Sequence, residues 1–316
     1  MRRAIAGDFA RMVAEPVQVT ATIDARLPPD PGPWTIAPVA AGQHEERLHD
    51  LSRAADFTVV IAPETRGVLA ALTRDLERAG TRLLGSSSEA VLLTGDKARS
   101  AARLRSLGID TPATLSIEPR AGLPAAARYP AVLKPIDGAG SIDTYYVEDP
   151  TTLPVEARRM PAALLQPFIR GTPMSASFLI DQRGGCWPIA VGRQHMVIRG
   201  GQFSYHGGTL PADCLEALPQ VAPAVTAFEG LRGFVGVDFI WDHERAHATI
   251  LDINPRPTTS IVAICRLLPP GRLARAWLDA CESNQESGYL DGLVTLVHAR
   301  EPLSFSTEES RVVESR

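Results

Sequence analysis

Lysine is almost missing from this chain: of 32 basic residues only Lys97 and Lys134 are lysines, and the rest are arginine. Asparagine is equally scarce, with Asn254 and Asn284 alone. A coding bias against both residues is the background cause and says nothing about function. It does single out the survivors, because a compact ammonium fits a tight phosphate site that a planar guanidinium does not. The four cysteines, Cys186, Cys214, Cys265 and Cys281, have neither CxxC spacing nor a secretory context. That leaves free thiols in a reducing compartment as the expectation. No apolar run reaches membrane-spanning length and no apolar signal core opens the chain, so no membrane association is expected and a cytoplasmic location is. A net charge of −4 gives no basic surface for nucleic acid. A serine, cysteine or histidine triad signature is also lacking.

What is present is the composition of an ordinary soluble protein, 45% hydrophobic and 22% charged over 316 residues, enough for two or three domains. Periodicity predicts a helix over Met1–Ala14 and strands over Val17–Ile23 and Trp34–Val39. A helix over His44–Ala55, a fully apolar strand FTVVIAP, a helix over Thr65–Ala79 and a short strand near Arg82–Leu84 follow. Alternating strands and helices with an all-apolar strand indicate a small parallel α/β unit. Such a unit normally opens with a strand and this chain opens with a helix, so either that strand is absent or the start lies upstream. Helices are expected over Ser87–Gly95 and Asp96–Gly108, then strands over Ala131–Ile136, Thr144–Val147, Leu164–Gly171, Met174–Asp181 and Pro188–Val197. A helical region over Ala212–Leu231, helices over Ile261–Leu268 and Arg272–Ser283, a late strand LVTLVHA and a polar, frayed end from Phe305 complete the chain.

The densest chemistry lies in Val235–Ser260, where two β-branched and aromatic runs flank a polar turn, a hairpin signal. With Asp242–Ala246 as the loop, Asp238 stands opposite Ile250. Asp238, Asp252 and Asn254 then share one face, and Val237, Phe239, Leu251 and Ile253 the other. Two carboxylates and an amide without His or Cys suit Mg²⁺, which leaves its remaining positions to water and phosphate. Taken alone, the pattern is equally that of a solvent-face strand followed by a proline-imposed turn. Other segments shift the balance. Asp96 is a predicted N-cap, which puts Lys97 at a helix N-terminus, where a structural lysine opposes the dipole and an anion ligand does not. Lys134 lies on a strand leading into DGAGS, a glycine loop whose N–H groups can close over phosphates, although a lone GAG would be a plain turn. Arg193 is a candidate for a carboxylate or phosphate contact. His195 and His206 are read as structural. Arg256, between Pro255 and Pro257, is a guanidinium with little freedom, suited to a moving phosphoryl oxygen or else to a rigid surface turn.

The ordered set of DK at Lys97, VLKP at Lys134, GAGS, QPFI, GVDF at Asp238 and LDINPRP at Asp252–Arg256 resembles the ATP-grasp carboxylate–amine ligases along essentially the whole chain. The resemblance implies an α/β (α+β) ATP-grasp fold. A Rossmann-like N-terminal domain would span 1–88, a small antiparallel lid subdomain 89–165, a C-terminal α+β subdomain 166–304 and a flexible tail 305–316. It implies ATP and Mg²⁺ as cofactors, with Lys97 and Lys134 on the phosphates and Gly138, Gly140 and Ser141 in the loop above them. Gln166, Phe168 and Ile169 would receive adenine, and Asp238, Asp252 and Asn254 the metal. Arg256 and Arg193, with Lys134, would steady an acyl-phosphate. The implied partners are small-molecule carboxylate and amine substrates, with a homodimer left open. The segments RQHMVIRGGQFSYHGG and NPRPTTS look most like the small ligases that include tyramine–glutamate ligase of methanofuran biosynthesis. That implies joining glutamate to an amine in the making of a one-carbon cofactor. Position 252 is Asp where most members carry Glu, and Thr172 and Pro173 stand where an acid usually holds the ribose. An ATP-binding sensor or scaffold without catalysis is the alternative.

Overall fold

The computed structural model describes all residues except 14, 139, 283–287, 308–311 and 314–316. The end of the predicted first helix at Ala14, the last residue of the predicted helix ending at Ser283, Ala139 of the glycine loop and most of the predicted frayed end therefore lie outside the described residues.

The first helix, α1 (Arg2–Phe9), is followed by the parallel strands β1 (Thr20–Asp24) and β2 (Thr35–Val39), paired from Thr20↔Thr35 to Asp24↔Val39. Helices α2 (His44–Arg53) and α3 (Val68–Arg78) come next. The expected apolar strand FTVVIAP forms only one parallel bridge, Thr58↔Leu83, and otherwise runs as extended chain. Its apolar residues are used for packing: Val60 and Ala62 lie against Leu69, Ala70 and Val91.

Helix α4 (Ser88–Gly95) starts at Ser87, whose hydroxyl accepts the Ala90 N–H at 3.2 Å. Helix α5 (Lys97–Ser106) starts at Asp96, whose carboxylate accepts the Ala98 and Arg99 N–H groups at 3.0 Å each. The predicted cap is thus the observed one, and Lys97 is the first helical residue.

The rest of the chain builds one large antiparallel sheet. Its strands are β3 (Leu115–Ile117), β4 (Ala131–Lys134), β5 (Tyr145–Val147), β6 (Ala163–Pro167), β7 (Thr172–Ile180), β8 (Cys186–Arg199), β9 (Gln202–Leu210), β10 (Gly233–Asp242) and β11 (His247–Asn254). The order is β11-β10-β7-β8-β9-β5-β4-β6-β3. Four strands, β7, β8, β9 and β5, lie between β10 and β4 in this order, yet both supply side chains to one cleft, so the sheet curls around it.

Helix α6 (Leu218–Thr226) packs behind β10 and β11 over a core that includes Val221, Val225, Phe239 and Trp241. Helices α7 (Ile261–Leu267) and α8 (Arg272–Glu282) form a second core with α1, in which Trp277 meets Phe9 and Phe234. Asp8 ties these parts together: its carboxylate accepts the Gly271 and Ala274 N–H groups, each at 2.8 Å, at the start of α8.

The segment LVTLVHA is helical, as α9 (Leu293–His298), and not the expected strand. Leu293 and Val297, four residues apart, are both buried, which is the spacing of one helix face. A seven-residue segment this rich in apolar and β-branched residues fits either period, and packing beside β8 decides for the helix; there His298 Nε2 accepts the Val191 N–H at 3.3 Å. Strand β12 (Leu303–Ser306) then pairs with β9.

Candidate active site

The hairpin of β10 and β11 departs from its expected register in a way that makes the site. The pairs run Asp242↔His247, Trp241↔Ala248, Ile240↔Thr249 and Phe239↔Ile250, so the loop is four residues and not five. A regular ladder would then place Leu251 opposite Asp238 and turn Asp252 to the far face. A β-bulge between Asp238 and Phe239 takes up Leu251, and Asp238 pairs with Asp252 instead. Asp238, Asp252 and Asn254 line one cleft as expected. Leu251, expected on the oily face, lines that cleft with them.

Asp238 is held on both oxygens: Oδ1 accepts from Gln194 Nε2 at 2.8 Å and Oδ2 from Asn254 Nδ2 at 3.0 Å. Burial, then the neighbouring Asp252 charge, raises its pKa to about 6. The Lys97 ammonium is bonded to Asp252 Oδ2. The Lys97 N–H donates to Ile136 O at 3.0 Å, two residues past Lys134, and this bond fixes the start of α5 beside the end of β4. Lys134 is also in the cleft, and burial lowers its pKa to about 8, with the Lys97 charge adding to the effect and Asp252 and Asp238 opposing it. The charged groups lining the cleft are thus three cations, Lys97, Lys134 and Arg256, against two anions, Asp238 and Asp252. That excess suits a polyanion.

The cleft has a volume of about 370 Å³. Gly138, Gly140 and Ser141 line one side, all with positive φ (139°, 70° and 60°), the conformation a glycine-rich turn needs. Gln166, Phe168 and Ile169 line the apolar end together with Met196, Ile198 and Phe203. Phe168 meets the Tyr146 ring edge-on with 5.3 Å between centroids, and its N–H donates to Pro130 O at 2.8 Å. The Gln166 amide donates to Thr114 Oγ1 at 2.8 Å, so its position is fixed from outside the cleft.

Every residue singled out from the sequence for this site lines the cleft except Arg193. Arg193 is exposed and lines an adjoining hollow of about 430 Å³ with His195, Thr209, Pro211 and Pro302. Alternation along β8 turns Gln194, not Arg193, toward Asp238. Thr172, at the position flagged for the ribose, hydrogen-bonds His243 at 3.1 Å, and Asp238 and Asp252 are the only carboxylates on the cleft wall among the described residues.

Two residues escaped the sequence reading. Gln194 stood beside the arginine that drew attention. Glu64 is buried behind Arg256, with Oε1 2.8 Å from its Nε. The signal for it was an acid directly after an apolar run, in APET.

The donor set tests whether a divalent cation fits. Two cross-strand carboxylates, one with its pKa raised by burial and then by the other's charge, and an amide oxygen carrier beside them are hard oxygen ligands, with Lys97 already paired to Asp252. Among the described residues no group of three or more His, Cys, Asp or Glu is placed to hold a metal ion, and Asp238 and Asp252 are a pair of hard oxygen ligands of the kind Mg²⁺ takes in small number.

The family is settled by comparison. An ATP-grasp domain model matches residues 94–260 and a pre ATP-grasp 3 domain model residues 17–91; the chain belongs to the ATP-grasp family. Among particular relatives, it is 29% identical over 225 residues to the tyramine–L-glutamate ligase of Methanocaldococcus fervens, an alignment covering 70% of this chain and 66% of that one, just under two thirds of the relative's length. The fold is shared with L-amino acid ligase from Bacillus licheniformis, with TM-score 0.66 and 19% identity over 86% of this chain and 71% of that one. It is also shared with D-alanine–D-alanine ligase from Bacillus anthracis solved with ATP, with TM-score 0.58 and 17% identity over 80% and 87%. In the described residues no helix is long and apolar enough to cross a membrane.

Proposed function

We propose that this protein is an ATP-dependent carboxylate–amine ligase that forms an amide and releases ADP and phosphate. The observation that carries this reading is the convergence of Lys97, Lys134, Asp238, Asp252 and Asn254 on one cleft with a glycine-rich side. Lys97 and Lys134 neutralise the β- and γ-phosphates, and the apolar end around Phe168 takes the base. Asp238, Asp252 and Asn254 would hold Mg²⁺, which when bound would supply neutralisation of the phosphate charge.

A carboxylate oxygen of the first substrate attacks the γ-phosphorus and the bond to the β-phosphate oxygen breaks, giving ADP and an acyl-phosphate. The amine then attacks the acyl carbon, loses a proton and expels phosphate. No side-chain nucleophile is needed, since positioning and charge carry phosphoryl transfer. Arg256 faces the acyl-phosphate. Gly138, Gly140 and Ser141 on the cleft wall would limit water there, because hydrolysis at that stage wastes the nucleotide. The tyramine–glutamate ligase relative supports L-glutamate as the acid and an aromatic amine such as tyramine as the acceptor, in the making of a methanofuran-like cofactor. Short Asp252 and the wall lacking a ribose carboxylate also fit a protein that binds ATP as a sensor or scaffold.

A phosphate-release assay separates these. With L-glutamate, tyramine, Mg²⁺ and ATP, ADP and phosphate should form only when acid and amine are both present. A rise in melting temperature with ATP and no phosphate release across a broad panel of acids and amines would replace the ligase by the sensor.

A further inference from the structure

Glu64 belongs to the loop between the extended segment 57–63 and α3. It is 7% exposed, and both carboxylate oxygens are buried without a hydrogen-bond partner among the described residues. Its charge partner is Arg256, whose Nε lies 2.8 Å from Oε1 yet also lacks a hydrogen bond, so the charges meet without donor–acceptor alignment. A buried carboxylate kept only to fill space is poor design, because an apolar side chain of similar volume costs less desolvation.

The surroundings say what the charge does. Arg256 is on the cleft wall and Glu64 is not, so Glu64 stands behind the guanidinium. Arg256 Nη1 donates to Pro257 O at 3.2 Å, a second hold from its own turn. A Cβ added to Gly95 would lie 3.5 Å from Glu64 Cβ, so the stem of Glu64 rests against the residue before Asp96 and Lys97. Two residues on, the Arg66 N–H donates to Asp137 Oδ2 at 2.6 Å, with Arg66 at φ 56°. Asp137 is the first residue of DGAGS. One loop of the N-terminal part therefore touches the cleft arginine and the root of the glycine segment.

We infer that Glu64 is a positioning residue: its charge holds the Arg256 guanidinium at the cleft wall, aimed at the phosphoryl group that moves. This rests on the ligase reading for its effect on turnover, and on geometry alone for its effect on Arg256.

The two parts are tested separately. In protein labelled with ¹⁵N-arginine, the Arg256 Nε–H resonance is identified by its loss in Arg256→Lys. It should shift and broaden in Glu64→Gln and return toward the wild-type position in Glu64→Asp. An unchanged Arg256 resonance in folded Glu64→Gln overturns the proposal. If Glu64→Gln does not fold, the same comparison is made with Glu64→Met, uncharged and of similar volume, where an Arg256 resonance unmoved from wild type overturns it.

In the phosphate-release assay, Glu64→Gln should lower kcat at least tenfold with the Kd for ATP unchanged, and Glu64→Gln/Arg256→Ala should be no slower than Arg256→Ala. Multiplicative losses in the double variant would overturn the positioning role. A wild type that turns over no substrate pair defeats the ligase reading, and the resonance still decides whether Glu64 holds Arg256.

Discussion

Lys97 and Asp252, 155 residues apart in the chain, form a salt bridge inside the central cleft with 12% and 17% of their side chains exposed. The pair joins the first residue of α5 to β11 and places a cation on a carboxylate proposed to hold Mg²⁺. Lys97→Met leaves Asp252 beside Asp238 without its counter-charge. The cost should be roughly 1–3 kcal/mol after allowing for solvent screening. Lys97→Met/Asp252→Asn should recover part of that loss, while neither variant binds ATP as the wild type does. Urea unfolding and nucleotide titration of the three proteins check this.

Lys134 sets a pH dependence. Its folded pKa of about 8 lies below the ordinary 10.5, so between these values the unfolded chain holds a proton that the folded chain has lost. Stability of the nucleotide-free protein should therefore rise with pH across that window through this group, and below about 8 the buried cation is a cost. Nucleotide affinity has the opposite trend, because the phosphates need the ammonium. It should fall as pH passes about 8, by up to about tenfold per pH unit, and Lys134→Ala should abolish it. Calorimetric titration from pH 7 to 10 measures the slope.

The bulge at Leu251 makes a paired prediction. Deleting Leu251 leaves Asp252 as the next residue after Ile250, so a regular ladder still puts it opposite Asp238. Deleting Ile253 instead brings Asn254 opposite Val237, on the wrong face. The first deletion should retain ATP binding within about tenfold, a loss of about 1.4 kcal/mol or less, and the second should lose the Asn254–Asp238 hydrogen bond and the binding with it. Circular dichroism shows whether each folds, and a Mg²⁺-dependent nucleotide titration distinguishes them.

Gly171, on the cleft wall, has φ 147°, and a Cβ there would lie 2.5 Å from Ile240 Cγ2 and 2.6 Å from Trp241 O. Gly171→Ala should cost roughly 1–3 kcal/mol through backbone strain and displacement of β10. Denaturant midpoints measure the cost. A neutral result would mean that β10 shifts freely at its loop end.

Much of this site was legible because rare residues marked it. Two lysines in a chain of arginines stood in separate predicted elements, and the Lys97 N–H bond to Ile136 O is what makes them neighbours. The carboxylates could be assigned to one face, but by a register wrong in two steps that offset each other: a loop one residue too long and a bulge not foreseen. A bulge leaves no local signature, since it is settled by the pairing of both strands. Arg193 lies in the adjoining hollow and not in the cleft, because residue type does not show which way a strand side chain turns. Glu64 was passed over because its role depends on a partner 192 positions later in the numbering. LVTLVHA was misassigned because seven residues are too few for their period to decide.

The core that joins α1 to α7 and α8 also includes Phe305 near the far end of the chain. Helix α1 therefore gains its apolar cover only from segments very distant in the numbering, and closing contacts of such large sequence separation slows folding.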